Sequence, residues 1–216
     1  KQKTAYEIRN CDWSSDVCSS DLFERPNWFD AVGQEHEACR QRVALFDASS
    51  FAKFTLSGRD AEAVLSWICA NNVAQAPGRI SYTQMLNADG GIECDLTVTR
   101  LAADIFYIVT GTGFVTHDFD WISRNIPEGA DAHLHDVTPD FATLSLMGPR
   151  ARDVLQQVSE DDVSHVAFPF TTAREIRIAG VPVRALRLTY VGELGWELHV
   201  PSASAVGGYD RQIGRA

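Results

Sequence analysis

Acidic and aromatic residues gather at two places in the chain. In the stretch NADGGIECDLTVTR, residues 87–100, alternation puts Ile92, Cys94, Leu96 and Val98 on one side of a strand and Glu93, Asp95, Thr97 and Thr99 on the other. A carboxylate beside a tight turn can take up a proton or stabilise a nearby cation, and a solvated strand face is the plainer alternative. The stretch YVGELGWEL, residues 190–198, carries Tyr190 at its head and carboxylates at Glu193 and Glu197. Its glycines supply backbone conformations that other residues avoid, which a simple hairpin connection would also require.

Other signals carry less chemistry. GTG at residues 111–113 follows an apolar run but lacks the third glycine and the helix of a dinucleotide loop. His133 and His135 are aligned by a strand period of two, with no further ligand at metal-like spacing, so solvated histidines are expected and no metal site is assigned. No nucleophile elbow or phosphate-binding loop is present. The net charge of −10 argues against binding nucleic acid, whose affinity comes from clustered Lys and Arg. No apolar run approaches the roughly 18 residues of a helical membrane span. Of the five cysteines, Cys11 and Cys18 fall in the N-terminal 22 residues; the other three, Cys39, Cys69 and Cys94, are odd in number and lack C-x-x-C spacing, which points to reduced thiols in a cytoplasm-like compartment.

The elements around the first cluster are legible from pattern. Asp89 and Gly90 are expected to form the two-residue loop of a hairpin, in which opposed residues sum to 179. Gln84 then faces Asp95, Tyr82 faces Thr97, and Tyr82 lies diagonal to Asp95 on one face. Glu93 falls opposite Leu86 near the tip and is expected to be solvated. Beyond the hairpin, an internal duplication is visible at an offset of 90 residues: FTLSGRDAEAVLSWICANNV (54–73) lies over LSLMGPRARDVLQQVSEDDV (144–163), with Gly58 on Gly148 and Leu65 on Leu155. Each copy is an apolar strand, a glycine and a helix whose stripe repeats at i, i+3, i+4, i+7. Strands are expected at RISYTQML, GIECDLTVTRL, IFYIVT, AREIRIA, VPVRALRLTY and GWELHV. The fold class is α+β, two related and largely antiparallel α/β units.

The chain ends read differently. Encoded as TGC TCT TCC GAT CTG, residues 18–22 have the reverse complement CAG ATC GGA AGA GCA, which translates as Gln-Ile-Gly-Arg-Ala, the residues at 212–216. Residues 1–22 and 212–216 are therefore expected to be translated sequencing adapter, leaving 23–211 as a piece of a longer protein.

Taken together, ERPNWF (24–29), GRISYTQMLNADGGIECDLTV and YVGELGWELHVP resemble the folate-binding aminomethyltransferase family. That family includes the glycine-cleavage T-protein and the C-terminal half of flavin-dependent dimethylglycine and sarcosine dehydrogenases. ERPNWF followed by EHEACRQRVALFDASSFAKF looks most like the flavoenzyme branch. The resemblance implies the T-protein folate-binding fold, with 23–52 and 137–211 as a discontinuous first unit and 53–136 as the second. The family's C-terminal barrel, and an arginine directed at folate, would lie beyond this stretch. It implies Tyr82, Asp95, Tyr190 and Glu197 as the residues around tetrahydrofolate, with Asp95 catalytic. Glu197 would accept the paired N–H donors of the pterin edge, and the tyrosines would supply flat contact or a phenolic hydrogen bond.

By that resemblance the domain captures the iminium from flavin-dependent demethylation of dimethylglycine or sarcosine as 5,10-methylenetetrahydrofolate. The partners implied are folate, an N-methylated amine and an FAD-binding half on the same chain, in a bacterial cytoplasm or a mitochondrial matrix. A free-standing glycine-cleavage aminomethyltransferase and a non-catalytic regulator of the same fold are the alternatives. Sequencing the intact gene is expected to replace residues 1–22 with a long FAD-binding region. A genomic read carrying DWSSDVCSSDL in frame would overturn the adapter assignment.

Overall fold

A computed structural model describes residues 29–205. The expectations for residues 1–28 and 206–216 lie outside the described residues. The chain forms α1 (Phe29–Gln41), β1 (Ala44–Asp47), β2 (Ala52–Ser57), α2 (Ala61–Ile68), β3 (Ile80–Leu86), β4 (Ile92–Ala102) and β5 (Ile105–Thr110). It continues through α3 (Val115–Arg124), β6 (His133–Asp136), β7 (Phe141–Met147), α4 (Ala151–Val158), β8 (Thr172–Ile178), β9 (Val181–Arg187) and β10 (Gly195–Pro201). The strands make two antiparallel sheets, ordered β1-β7-β10-β9-β8 and β3-β4-β5-β2-β6. This is the expected α+β class. Among the described residues neither sheet closes into a barrel, and no helix is long and apolar enough to cross a membrane.

Each sheet has an apolar outer face and a mixed inner face, as its period-two patterning requires. On the second sheet Phe54, Leu56, Leu96, Val98, Phe106 and Ile108 pack under the α2 stripe of Ala61, Val64, Leu65 and Ile68. On the first, Trp196, Leu198, Ala185 and Val183 pack with Ala151 and Leu155 of α4. The inner faces meet each other. Ile80 of β3 packs with Ala173 and Leu186, and the amides of Ile80 and Ala173 bond Thr171 and Gly78 carbonyls across the seam at 3.0 and 2.7 Å.

The 90-residue duplication is visible in backbone detail. Asp60 and Arg150, which precede α2 and α4, share φ −97° with ψ of 2° and 8°. Cys69 and Ser159 end the helices in extended conformation, and their amides bond Leu65 and Leu155 carbonyls, both at 2.9 Å. Gly58 and Gly148 sit at φ 129° and 125°, a region side chains avoid. Strand β9 ends at Arg187 rather than running to Tyr190 as expected. Beyond it, the Thr189 hydroxyl accepts from the Gly192 amide at 2.8 Å, so the segment turns locally instead of extending the ladder.

The hairpin corrects one expectation and satisfies another. Asn87 and Gly91 close the loop through Asn87 N–H to the Gly91 carbonyl, 2.9 Å, so three residues, 88–90, turn the chain instead of two. Gly90 takes φ 83°, as a three-residue loop needs. That shifts the tip pairing to Leu86 with Ile92, and a bulge at Glu93 then restores Met85 with Cys94, Gln84 with Asp95 and Tyr82 with Thr97. The two irregularities cancel, and the expected register holds where Asp95 sits.

A Cβ on Gly148 would fall 2.7 Å from the Arg42 carbonyl oxygen and 2.8 Å from that of Cys39. Gly148→Ala is expected to cost roughly 3 kcal/mol in urea unfolding, combining positive φ with a backbone clash. Gly33→Ala, in the exposed middle of α1 with nothing within 4 Å, is expected to stabilise by roughly 0.5–1 kcal/mol. Equal effects would contradict the close approach at Gly148.

Candidate functional site

Pairing places Ile80, Tyr82, Gln84, Asp95, Thr97 and Thr99 on the inner face of the second sheet. Exposure rises along that face toward the hairpin. Thr99 is fully buried, Thr97 intermediate and Asp95 exposed; on β3, Ile80 is 5% exposed and Tyr82 59%. The sheets are therefore in contact around Ile80, and toward the hairpin the inner face of the second sheet is open to solvent at Tyr82 and Asp95.

On that face, Gln84 donates to Asp95 Oδ1 at 2.9 Å, which fixes one carboxylate oxygen. The neighbouring Asp95 is the main influence raising the Tyr82 phenol above its ordinary pKa. Asn71 anchors the tyrosine's backbone by donating to the Tyr82 carbonyl at 2.9 Å. Tyr190 stands in the β9–β10 connection and is 92% exposed. Three of the four proposed folate contacts, Tyr82, Asp95 and Tyr190, are thus exposed to solvent.

Glu197 is placed differently. It lies on the inner face of β10, paired with Ser145 and Leu186, and is buried at 8% exposure. Its surroundings are polar: His199 Nε2 is 3.5 Å from Glu197 Oε2, and the buried Lys53 feels its charge. Burial is the largest influence on Lys53 and lowers its pKa, opposed by Asp47, Asp136 and Glu197. Lys53 donates to the Ser49 carbonyl at 2.7 Å. None of Lys53, Tyr107 or His199 was singled out from sequence, whereas Gln84 was expected opposite Asp95 and is found there. His199 was within reach, since it follows Glu197 by two residues on the face opposite Trp196, Leu198 and Val200.

Glu93 departs from its expected solvated state. The bulge turns it toward α3, where it accepts from Asn87 Nδ2 at 2.8 Å and lies 3.3 Å from His117 Nε2. His117 Nδ1 is 2.9 Å from Asp118 Oδ1, and the buried Asp118 accepts from the Thr110 hydroxyl at 2.6 Å. Cys94 joins this cluster, with its ligand atom and those of His117 and Asp118 within 4.8 Å of one another. Burial, with Asp118 beside it, pushes the Cys94 thiol far up. The group is thus a hydrogen-bonded cluster holding the hairpin base to α3, on the face away from Asp95. Two surface hollows, one beside Arg40, Pro149 and Glu193 and one along α3, contain none of Tyr82, Asp95 or Glu197.

The chain matches the family model described as the GCVT N-terminal domain over residues 12–214. It is 40% identical over 198 residues to human mitochondrial sarcosine dehydrogenase, covering 85% of this chain and 22% of that protein. Human mitochondrial dimethylglycine dehydrogenase is 35% identical over 189 residues, covering 87% and 22%. The crystal structure of glycine cleavage system aminomethyltransferase T from Bartonella henselae superposes with a TM-score of 0.73 at 26% identity, over 84% of this chain and 48% of that one. The chain spans about a fifth of the length of the two dehydrogenases.

The hydrogen bond to Asp118 is the largest influence raising the His117 pKa. A raised folded value means the stabilisation is complete below the ordinary histidine range and is lost as pH rises through the folded value. Thermal melts of wild type and His117→Asn are expected to differ most near pH 5.5 and to converge toward pH 8.5 or so. A gap that widens with pH would contradict the pairing.

Proposed function

The chain belongs to the GCVT N-terminal domain family, and on that premise we propose that it holds tetrahydrofolate in the cleft between its two sheets for one-carbon transfer. It is an aminomethyltransferase-type domain related to sarcosine and dimethylglycine dehydrogenases. The observation that carries the reading is the diagonal placement of Tyr82 and Asp95 on an inner face that opens to solvent.

The residues fit such a ligand. A pterin edge presents parallel N–H donors beside a flat ring, and the chain offers a buried carboxylate, an exposed one and exposed phenols. Glu197, buried on one wall, is suited to accept a donor pair, since a carboxylate has lone pairs for two parallel bonds. Tyr82 and Tyr190 would cover the ring faces, where an aromatic side chain loses little conformational freedom. When bound, tetrahydrofolate supplies the amine that takes up the one-carbon unit. Asp95, with one oxygen held by Gln84, keeps the other for the proton released at that amine or for the charge of an incoming iminium.

The substrate class follows from the relatives. We infer an iminium derived from an N-methylated amine such as sarcosine or dimethylglycine, formed by an FAD-bearing part of the same protein. Capture at a held acceptor would make the step local and limit hydrolysis of the iminium to amine and formaldehyde. In the complete protein, Asp95→Ala is expected to lower methylenetetrahydrofolate formed per flavin reduced by roughly a hundredfold or more. Flavin reduction by amine stays nearly intact, and free formaldehyde replaces the folate product. Unchanged coupling would remove Asp95 from its role.

A further inference from the structure

Two buried atoms face each other between the sheets. Glu197 Oε2 and His199 Nε2 are 3.5 Å apart, and neither makes a hydrogen bond to any of the described residues. His199 is fully enclosed. Its other ring nitrogen, Nδ1, lies 3.0 Å from the Tyr107 hydroxyl and 3.1 Å from the Thr143 hydroxyl. The Tyr107 ring meets the imidazole edge-on, with centroids 5.3 Å apart.

These contacts assign the proton on the ring. A neutral imidazole has one donor nitrogen and one acceptor. Tyr107 and Thr143 approach Nδ1 as hydroxyls, which can donate or accept. With Nδ1 as acceptor the N–H falls on Nε2, 3.5 Å from a carboxylate oxygen that can only accept when ionised. The opposite tautomer would set a bare Nε2 lone pair against Glu197 Oε2 inside a dry interface, where an unmet buried polar group costs about 1–3 kcal/mol.

We propose that His199 is the positioning residue of Glu197: a neutral imidazole, protonated on Nε2, whose donor holds the plane of the carboxylate that receives the ligand's paired N–H groups. The inference rests on reading Glu197 as that receiving carboxylate. The charged groups around the ring agree with neutrality. Burial is the largest influence and lowers the imidazole pKa; Glu197 opposes it, while the Lys53 and Arg184 cations add to it. Arg184 lies over the Tyr107 ring at 4.4 Å and pairs with His199 across the β9–β10 ladder. A protonated His199 would therefore be a third cation beside two already present.

The chain has polar inner residues at this point because His199 and Glu197 share one face of β10, while Trp196 and Leu198 supply the apolar core on the other. A leucine at 199 would keep the packing volume and lose the donor. A glutamine would keep an N–H at a similar reach.

The test uses the complete protein of which this chain is a part, with tetrahydrofolate as probe, titrated calorimetrically without oxygen. Wild type binds; His199→Leu is expected to weaken binding roughly ten- to hundredfold, and His199→Gln to recover most of the loss. Independently of ligand, nitrogen-15 spectra of the wild-type imidazole are expected to show the Nε2–H tautomer, still uncharged at a pH where an ordinary histidine is half protonated. Failure of wild type and Glu197→Gln alike to bind tetrahydrofolate would overturn the folate reading itself. If wild type binds but His199→Leu binds equally well, or the proton is found on Nδ1, the positioning role is overturned and the folate reading stands. Loss in His199→Leu with no recovery in His199→Gln would make His199 a packing residue and also overturn it. Should His199→Leu fail to fold, the wild-type spectrum and the glutamine variant still decide.

Discussion

Lys53, Tyr107, Thr143 and His199 are all enclosed where the two sheets face each other, and a polar group taken from water must find its partners inside. An apolar interface would allow the sheets to slide, because dispersion contacts have little direction. Here the Tyr107 and Thr143 hydroxyls meet one nitrogen of His199, Arg184 caps the Tyr107 ring, and Lys53 reaches the Ser49 carbonyl. Hydrogen bonds are short and directional, so the contacts that cross, Tyr107 with His199 and Arg184 over Tyr107, remove freedom between the sheets. The cleft depends on this anchoring. Tyr82 and Asp95 sit on one sheet and Glu197 on the other, so a ligand spanning them would need the spacing that these buried groups set.

The duplication divides labour between faces. Both copies repeat the strand, positive-φ glycine and helix, down to matching dihedrals at the helix ends. Those repeated features are the ones that build an apolar outer layer. The inner faces do not repeat: Lys53, Thr55 and Tyr107 line one, Thr143, Glu197 and His199 the other. A pair of related units whose inner faces have diverged can therefore enclose an asymmetric ligand.

What could be read in advance follows the same split. Helix stripes such as Ala61, Val64, Leu65 and Ile68, and strand alternation such as Cys94, Leu96 and Val98, are local regularities with a known period, and they named the outer core. Tyr82 and Asp95 were legible because a hairpin makes long-range pairing a matter of counting. Glu197 and Tyr190 were recognised through the motif around them, not through any pattern that revealed their surroundings. The burial of Glu197, and the joining of Tyr107 to a histidine 92 residues away, depend on which sheet face meets which, and no local period encodes that. The Glu93 expectation failed for a related reason. A bulge has no strong signature in the residues GIEC, and only the side chains on α3 show why the strand kinks there.

The hairpin tip holds a consequence of its own. In a strand, displacement by one residue is half a period, and it exchanges the two faces completely. The three-residue loop introduces one such half-period error, and the Glu93 bulge introduces a second that restores the phase before Asp95 is reached. The tip and the cleft are thereby separated by a corrector fastened to α3 through Asn87 and His117. The turn can be shortened or remodelled at the surface while Asp95 keeps its orientation, provided the phase at the bulge is adjusted to match. Evolution at this edge is then free in loop composition and constrained only in parity.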